Sequence, residues 1–449
     1  MSYLPSGGGQ LITTAASTRH IPKPRGARRW RIAVLLGIGV LINYFDRVNV
    51  SVAQEALNRE FGMTNQTFGF VLSAYSWTYA ALQLPMGVLL DRFGVRLIGC
   101  LSALVWSLAS FAGGAATSVT GFIASRLLLG VGEAPTFPAS SKATGAWFPR
   151  QERSLATAMF DGASKFASAI GVPLIGIVLI KLGWRMSFGL TGLISFLYFL
   201  AFYFVYREPK DDPKLSEDEW NYIRAGGAQQ HQEPGTGKSA SLLSLMRHPK
   251  VLGLVLGFFA YNYCFYLFLT WLPSYFSRSL GIDLLHSVLF TSIPWLFATF
   301  TDFLVGGWLV DFLVRRGHPE SQVRKSILIG GTTLGLAVAG VAFAQTAWTA
   351  VFWLSISLGG LAAAAPVGWS IPSLIAPRNC TGKVGGILNF GNQIAAVVAP
   401  IATGYFAGKN NSFGRAFGAA AVILVIGICG YVFLLGKVEP IPEPHQHAA

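Results

Sequence analysis

Gly87-Val88-Leu89-Leu90-Asp91-Arg92-Phe93-Gly94-Val95-Arg96 closes one long apolar run and opens the next. A partial echo, Gly307-Trp308-Leu309-Val310-Asp311, stands 220 residues later at the end of another apolar run, again followed by basic residues. Phe148-Pro149-Arg150 likewise recurs as Ala376-Pro377-Arg378, and Pro173 and Pro400 then fall at matching depths in the runs that follow. Offsets of 220 to 228 residues are those of a duplicated chain with small insertions. Residues 207–250 separate the two halves and carry seven basic and seven acidic residues. The soft runs Gly226-Gly227-Ala228 and Pro234-Gly235-Thr236-Gly237 mark that stretch as a linker, with a short surface helix near residues 216–225.

Of the 449 residues, 52% are hydrophobic and only 12% charged. Soluble domains carry about 25% charged residues, so the composition is that of a polytopic membrane protein. About 20 apolar residues cross a bilayer as a helix. Twelve such runs are found, near 32–53, 68–90, 97–117, 119–142, 154–180, 185–206, 251–276, 286–314, 326–346, 348–375, 384–408 and 413–436. The expected fold is all-α, with twelve transmembrane helices in two six-helix pseudo-symmetric bundles. The expected division is a basic tail (1–31), a first bundle (32–206), the linker (207–250), a second bundle (251–436) and a short tail (437–449).

The formal charge of +14 invites a nucleic-acid reading, but its placement argues otherwise. Of 34 Lys and Arg, 24 lie in the tails and the even-to-odd loops and only six in the opposite loops. By the positive-inside rule both termini are cytoplasmic. Six basic residues and no acidic one in residues 19–31 fit an anchor to anionic lipid. Cys100, Cys264, Cys380 and Cys429 have no metal-ligand spacing and read as packing residues. No nucleophile–base motif, metal cluster or phosphate loop is found, so the chain is not expected to be an enzyme.

The pattern Gly87-x-x-x-Asp91-Arg92-x-Gly94-x-Arg96, with twelve runs in a six-plus-six repeat, resembles the signature loop of the major facilitator superfamily. Gly87 suits close helix packing, Asp91 suits a helix N-terminus or an arginine, and Arg92 and Arg96 suit the cytoplasmic face. The resemblance implies a latch that closes that face, built from Gly87, Asp91, Arg92, Gly94 and Arg96. Asp311 marks a weaker copy, since no Arg directly follows it.

Charged residues stand at membrane depth, chief among them Asp46 and Arg47 in span one and Arg126 and Glu133 in span four. Each costs about 2.5–3.5 kcal/mol to insert, so such groups face the bundle interior and work there. Arg126 and Glu133 are seven residues apart, about 700° of helix, and share one face two turns apart. Asp46 and Arg47 diverge by about 100°, so only one of them points straight inward. Interhelical ion pairs that merely fix packing, Asp46 with Arg126 and Glu133 with Arg47, are the plainer alternative, but buried pairs are weak sources of stability. Two cations and two acids buried together suit binding an anion and handling a proton.

Asn43-Tyr44-Phe45-Asp46-Arg47, with Arg126…Gly130…Glu133-Ala134-Pro135, resembles the anion:cation symporter family, the bacterial sugar-acid/proton symporters above all. By that resemblance Arg47 and Arg126 bind the substrate carboxylate, and Asp46 and Glu133 carry protons. An arginine fork meets a carboxylate in two places and stays charged. Further candidate substrate contacts are Asn43, Tyr44, Tyr79, Gln83, Tyr263, Trp369, Asn389 and Asn392, with Tyr261, Tyr266, Trp271, Ser370 and Gln393 nearby in sequence. Asp161 and Lys165, at i,i+4 in span five, depart from the family pattern; they are either a self-neutralised pair or a third cation suited to a dicarboxylate.

The expectation is therefore proton-coupled symport of an organic anion, a sugar acid of the hexonate, hexuronate or glucarate type, by alternating access. An aromatic acid or dicarboxylate, phthalate- or tartrate-like, and a non-transporting anion sensor are the alternatives. No cofactor or metal is implied, because the proton gradient supplies the drive. The expected partners are the anion, H⁺ and the bilayer, with no nucleic acid, in a monomer of a bacterial-type inner membrane.

Overall fold

A computed structural model describes residues 26–149, 152–228, 241–377, 380–408 and 412–442. Among these every regular element is helical. A helix pairs its backbone N–H and C=O groups within itself, which is what lipid demands of a spanning segment. The first half contains α1 (Arg28–Val52), the short α2 (Gln54–Phe61), α3 (Asn65–Ala115), α4 (Val119–Glu133), α5 (Thr136–Trp147) and α6 (Arg153–Val205). Two short helices follow, α7 (Glu217–Ala225) and α8 (Leu242–Arg247). The second half contains α9 (Pro249–Ser274), α10 (Leu284–Thr301), α11 (Val310–Arg315), α12 (Glu320–Gly335), α13 (Val338–Val341), α14 (Ala347–Ile375), α15 (Thr381–Ala407) and α16 (Gly414–Cys429).

Eight helical runs are long and apolar enough to cross a membrane. One of them, Leu155–Val205, reverses at Gly183 (φ 80°) and so makes two crossings. Residues 65–93 of α3, the α4–α5 pair and the α12–α13 pair supply three more, twelve in total. In α3 the reversal is at Gly94 (φ 78°, ψ 166°), a conformation open to glycine and costly for any other residue. There the Val95 N–H donates to Glu208 Oε1 at 3.0 Å, which pins the signature loop to the end of its own half. Arg92 lies over Phe93 and Arg96 over Tyr203, again within the first half. The side chains of Asp91 and Asp311 lie outside the described residues.

Two sequence expectations change. Arg28 and Arg29 are not available to lipid: Arg28 pairs with Asp212 at 2.7 Å, and Arg29 pairs with Glu152 and Glu219 at 2.7 and 2.8 Å. The acids of the linker and of α7 draw this end of the basic tail into the protein, and Ser216 caps α7 through the Glu219 N–H. The second change concerns Gly87, which meets nothing within 4 Å among the described residues and so packs closely on none of them here. The reason is how the two halves lean. At the end remote from both termini, a Cβ on Gly69 would lie 2.8 Å from the Pro400 carbonyl, and Gly404 abuts the Asn65 backbone. At the other end no described residue comes within 4 Å of a Cβ placed on Gly87, Gly385 or Gly386. The facing helices α3 and α15 thus close at one end and splay at the other. Further links between the halves gather at the closed end: Ser51 Oγ donates to the Thr270 carbonyl at 2.7 Å, and Asn65 Nδ2 donates to the Gly408 carbonyl at 2.7 Å.

Candidate functional site

Span four is broken where its chemistry lies. Pro135 and Pro138 bring no N–H, so α4 ends at Glu133 and α5 restarts at Thr136. Pro138 leaves the Ala134 carbonyl without its helical donor, and Gln83 Nε2 of α3 supplies one at 3.2 Å. Gln83 Oε1 in turn accepts from Asn389 Nδ2 of α15 at 3.1 Å. Gln83 and Asn389 therefore bind each other in this conformation, linking the proline break to the second half.

Arg47 Nε lies 3.1 Å from Glu133 Oε2, and Arg47 Nη2 donates to Asn43 Oδ1 at 2.7 Å. Three tyrosine rings surround its guanidinium, with centroids at 4.5 Å (Tyr44), 4.9 Å (Tyr75) and 5.3 Å (Tyr79). Such faces attract a cation without neutralising it. Arg126 shares the Tyr75 ring at 5.7 Å and donates at 3.4 Å to the backbone oxygen of Asp46. It makes no ion pair among the described residues although it is only 3% exposed. The Asp46 carboxylate turns away, accepting from Ser110 Oγ at 2.7 Å and Ser195 Oγ at 3.3 Å. Of the two packing pairs that the sequence allowed, Arg47 with Glu133 forms, and the pair between Arg126 and the Asp46 carboxylate does not.

Several buried polar atoms around these arginines lack a hydrogen-bond partner among the described residues: Asn43 Nδ2, Tyr75 Oη, Arg126 Nε and Glu133 Oε1. On α15, Asn392 Oδ1 accepts from Asn262 at 2.8 Å while its buried Nδ2 is unpaired. Buried polar groups are almost always paired, so such a concentration marks a place built for polar cargo or water.

Two candidates fall elsewhere. Tyr263 is buried against Phe259 and toward Thr403 of α15. The α9 tyrosine in electrostatic reach of Arg47, Tyr44 and Tyr75 is Tyr266, because a three-residue step rotates the side chain about 60° short of a full turn. Trp369 packs edge-on to Phe258, eight residues and about 12 Å along α9 from Tyr266, so it does not join the arginines.

Asp161 and Lys165 form their i,i+4 pair at 2.8 Å, but Lys165 also lies 3.2 Å from Asp302 Oδ2 in the second half. Asp302 was not picked out by the sequence reading, nor were Tyr75, Ser110 or Ser195. The signal for Asp302 was present: an acid inside the apolar run 286–314, at the same depth logic that singled out Asp46.

The chain matches the description "Major Facilitator Superfamily" over residues 36–319. It is 37% identical over 433 residues to an uncharacterized transporter of Bacillus subtilis (strain 168), covering 95% of this chain and 98% of that one. It is 31% identical to a D-galactonate transporter of Escherichia coli O6:H1 (92% and 97% covered). To a probable galactarate/D-glucarate transporter of Escherichia coli K12 it is also 31% identical (96% and 98% covered). Among solved structures, a bacterial homolog of the human lysosomal transporter Spinster, inward-facing and occupied, superimposes with a TM-score of 0.73 at 16% identity, covering 91% of this chain and 97% of that one. Twelve crossings in two halves, charged groups gathered at membrane depth and these likenesses lead to one conclusion: the chain is a membrane transporter, not an enzyme, and belongs to the Major Facilitator Superfamily.

Proposed function

We propose that this transporter carries an organic anion, a sugar acid of the hexonate, hexuronate or glucarate type, in symport with protons by alternating access. The observation that carries the reading is Arg126, a cation at membrane depth that makes no ion pair among the described residues, next to an Arg47 held by Glu133. With Asp46 and Glu133 ionised, the four groups sum to zero; with both protonated, they sum to +2. Proton uptake thus frees the Arg47 fork and supplies the charge that an anion requires, and by linkage the anion favours proton uptake to the same extent. The names of the galactonate and galactarate/glucarate relatives support a hydroxylated acid. Asn43, Asn392 and Tyr266 are fit to meet its hydroxyls, with Tyr44 and Tyr79 walling the arginine and Gln83 and Asn389 released when the halves move. A bacterial-type inner membrane with both termini cytoplasmic, and a monomer, complete the proposal.

Lys165 is already flanked by two carboxylates, so in this reading the anion is met by Arg47 and Arg126 without a third cation. In proteoliposomes, Glu133→Gln should exchange labelled D-galactonate across the membrane yet fail to accumulate it under an imposed proton gradient. Accumulation by that variant would overturn the coupling role. If D-galactonate, galactarate and D-glucuronate all fail to exchange in the parent protein, the sugar-acid assignment falls.

A further inference from the structure

Asp161, Lys165 and Asp302 stand apart from the arginines and join the two halves. Lys165 Nζ lies 2.8 Å from Asp161 Oδ2 on its own helix α6, and 3.2 Å from Asp302 Oδ2 across the interface. Lys165 and Asp302 are each 4% exposed, whereas the Asp161 side chain is 25% exposed. The other titratable groups facing the cluster among the described residues are Tyr261 of α9 and Tyr44 of α1. Asp302 Oδ1 is buried with no hydrogen-bond partner among the described residues. Asp302 also begins a π-helical segment, Asp302–Leu309, the kind of widened turn that recurs at functional sites.

We propose that Asp302 is a further proton-accepting group of this carrier, taking up its proton when the two halves separate at Lys165. The argument is one of charge. Lys165 carries a neutralising partner on its own helix, so it stays paired through Asp161 when the halves part. Asp302 has no such partner and is left as a lone carboxylate at membrane depth, where an uncompensated charge is costly. One proton from solution, reaching it past the wetter Asp161, converts Asp302 to the neutral acid, while Lys165 keeps its own proton. A metal cation is a poor occupant, since the ammonium at 3.2 Å repels it and only one carboxylate oxygen is free. Ionised Asp302 therefore tethers the halves in the present conformation, and protonated Asp302 releases them.

The inference rests on the transport reading but is tested without substrate. Spin labels at the exposed Gln66 and Ser412 report the distance across the closed end, measured in an Glu133→Gln background from about pH 5.5 to about pH 8.5. The parent background should open this end progressively as pH falls. Asp302→Asn, which mimics the protonated acid, should favour the open state by roughly tenfold or more, the worth of one charge-assisted hydrogen bond, and flatten the pH response. Asp161→Asn should act oppositely, holding the end closed, because Lys165 then has no partner of its own when the halves part. The two variants check each other against misfolding. Identical pH curves for Asp302→Asn and its parent, or a shift of both variants in one direction, would overturn the proposal. Failure of Glu133→Gln to uncouple transport leaves this distance measurement unaffected, so the two ideas fail separately.

Discussion

Replacing Glu133 with Gln tests whether a carboxylate of the protein and the transported anion compete for one cation. Glu133 Oε2 lies 3.1 Å from Arg47 Nε, with both groups buried. Removing one partner of a buried pair costs about 3–5 kcal/mol, because the other charge is left uncompensated. Arg47 retains Asn43 Oδ1 at 2.7 Å and three tyrosine faces, so the lower end of that range applies. A substrate carboxylate that docks on Arg47 restores the compensation and recovers energy of the same order. About 3 kcal/mol corresponds to a factor of roughly 100 in Kd. Above neutral pH the variant should therefore bind D-galactonate roughly ten- to a hundredfold more tightly than the parent protein. As the pH is lowered and the parent's own Glu133 takes up a proton, the two affinities converge. Titration calorimetry on purified protein over that range reads both effects. Equal affinities at every pH, or weaker binding by the variant at high pH, would refute the competition.

Arg47→Lys should raise the D-galactonate Kd at least about tenfold, since an ammonium cannot hold Glu133 and Asn43 on separate prongs and then present the same fork to a carboxylate; unchanged affinity in the same titration argues against the clamp. Gly130→Ala places a methyl against the Tyr75 carbonyl and Thr78 Oγ1, where no space exists. Overpacking of this kind costs about 1–3 kcal/mol and pushes Tyr75 off both arginines, so thermal stability and affinity should fall together.

Much of the architecture was readable because its causes are local. Apolar runs of bilayer length, a glycine where the chain must reverse at residue 94, and Ser216 ahead of three acids at the start of α7 each act within a few residues. The site was readable in outline for a different reason: charges at membrane depth are rare enough to stand out singly. What escaped was whatever depends on partners distant in the chain. Arg28 and Arg29 read as lipid-facing cations because their acids, Glu152, Asp212 and Glu219, lie more than a hundred residues further along the chain. Asp302 is passed over in the sequence because its partner, Lys165, lies in the other half. Tyr263 was preferred to Tyr266 because a helix with tyrosines and phenylalanines on every face has no apolar stripe by which to orient it. Asp46 illustrates the limit most simply, for its bonds to Ser110 and Ser195 leave no trace in spacing at all.

The glycine crossing of α3 and α15 has a mechanical consequence. Gly69 meets its neighbour backbone to backbone, so the closed end is sealed with no side chain to compress and the depth of the seal is set by the main chain. From there to Gly87 is 18 residues, about 27 Å of helix. A relative tilt of only about 10° over that length changes the gap by roughly 5 Å, enough to admit or seal off a small solute while neither helix bends. A small rocking of whole helices thus trades one opening for the other, and a methyl group on Gly69 or Gly404 would hold the closed end ajar.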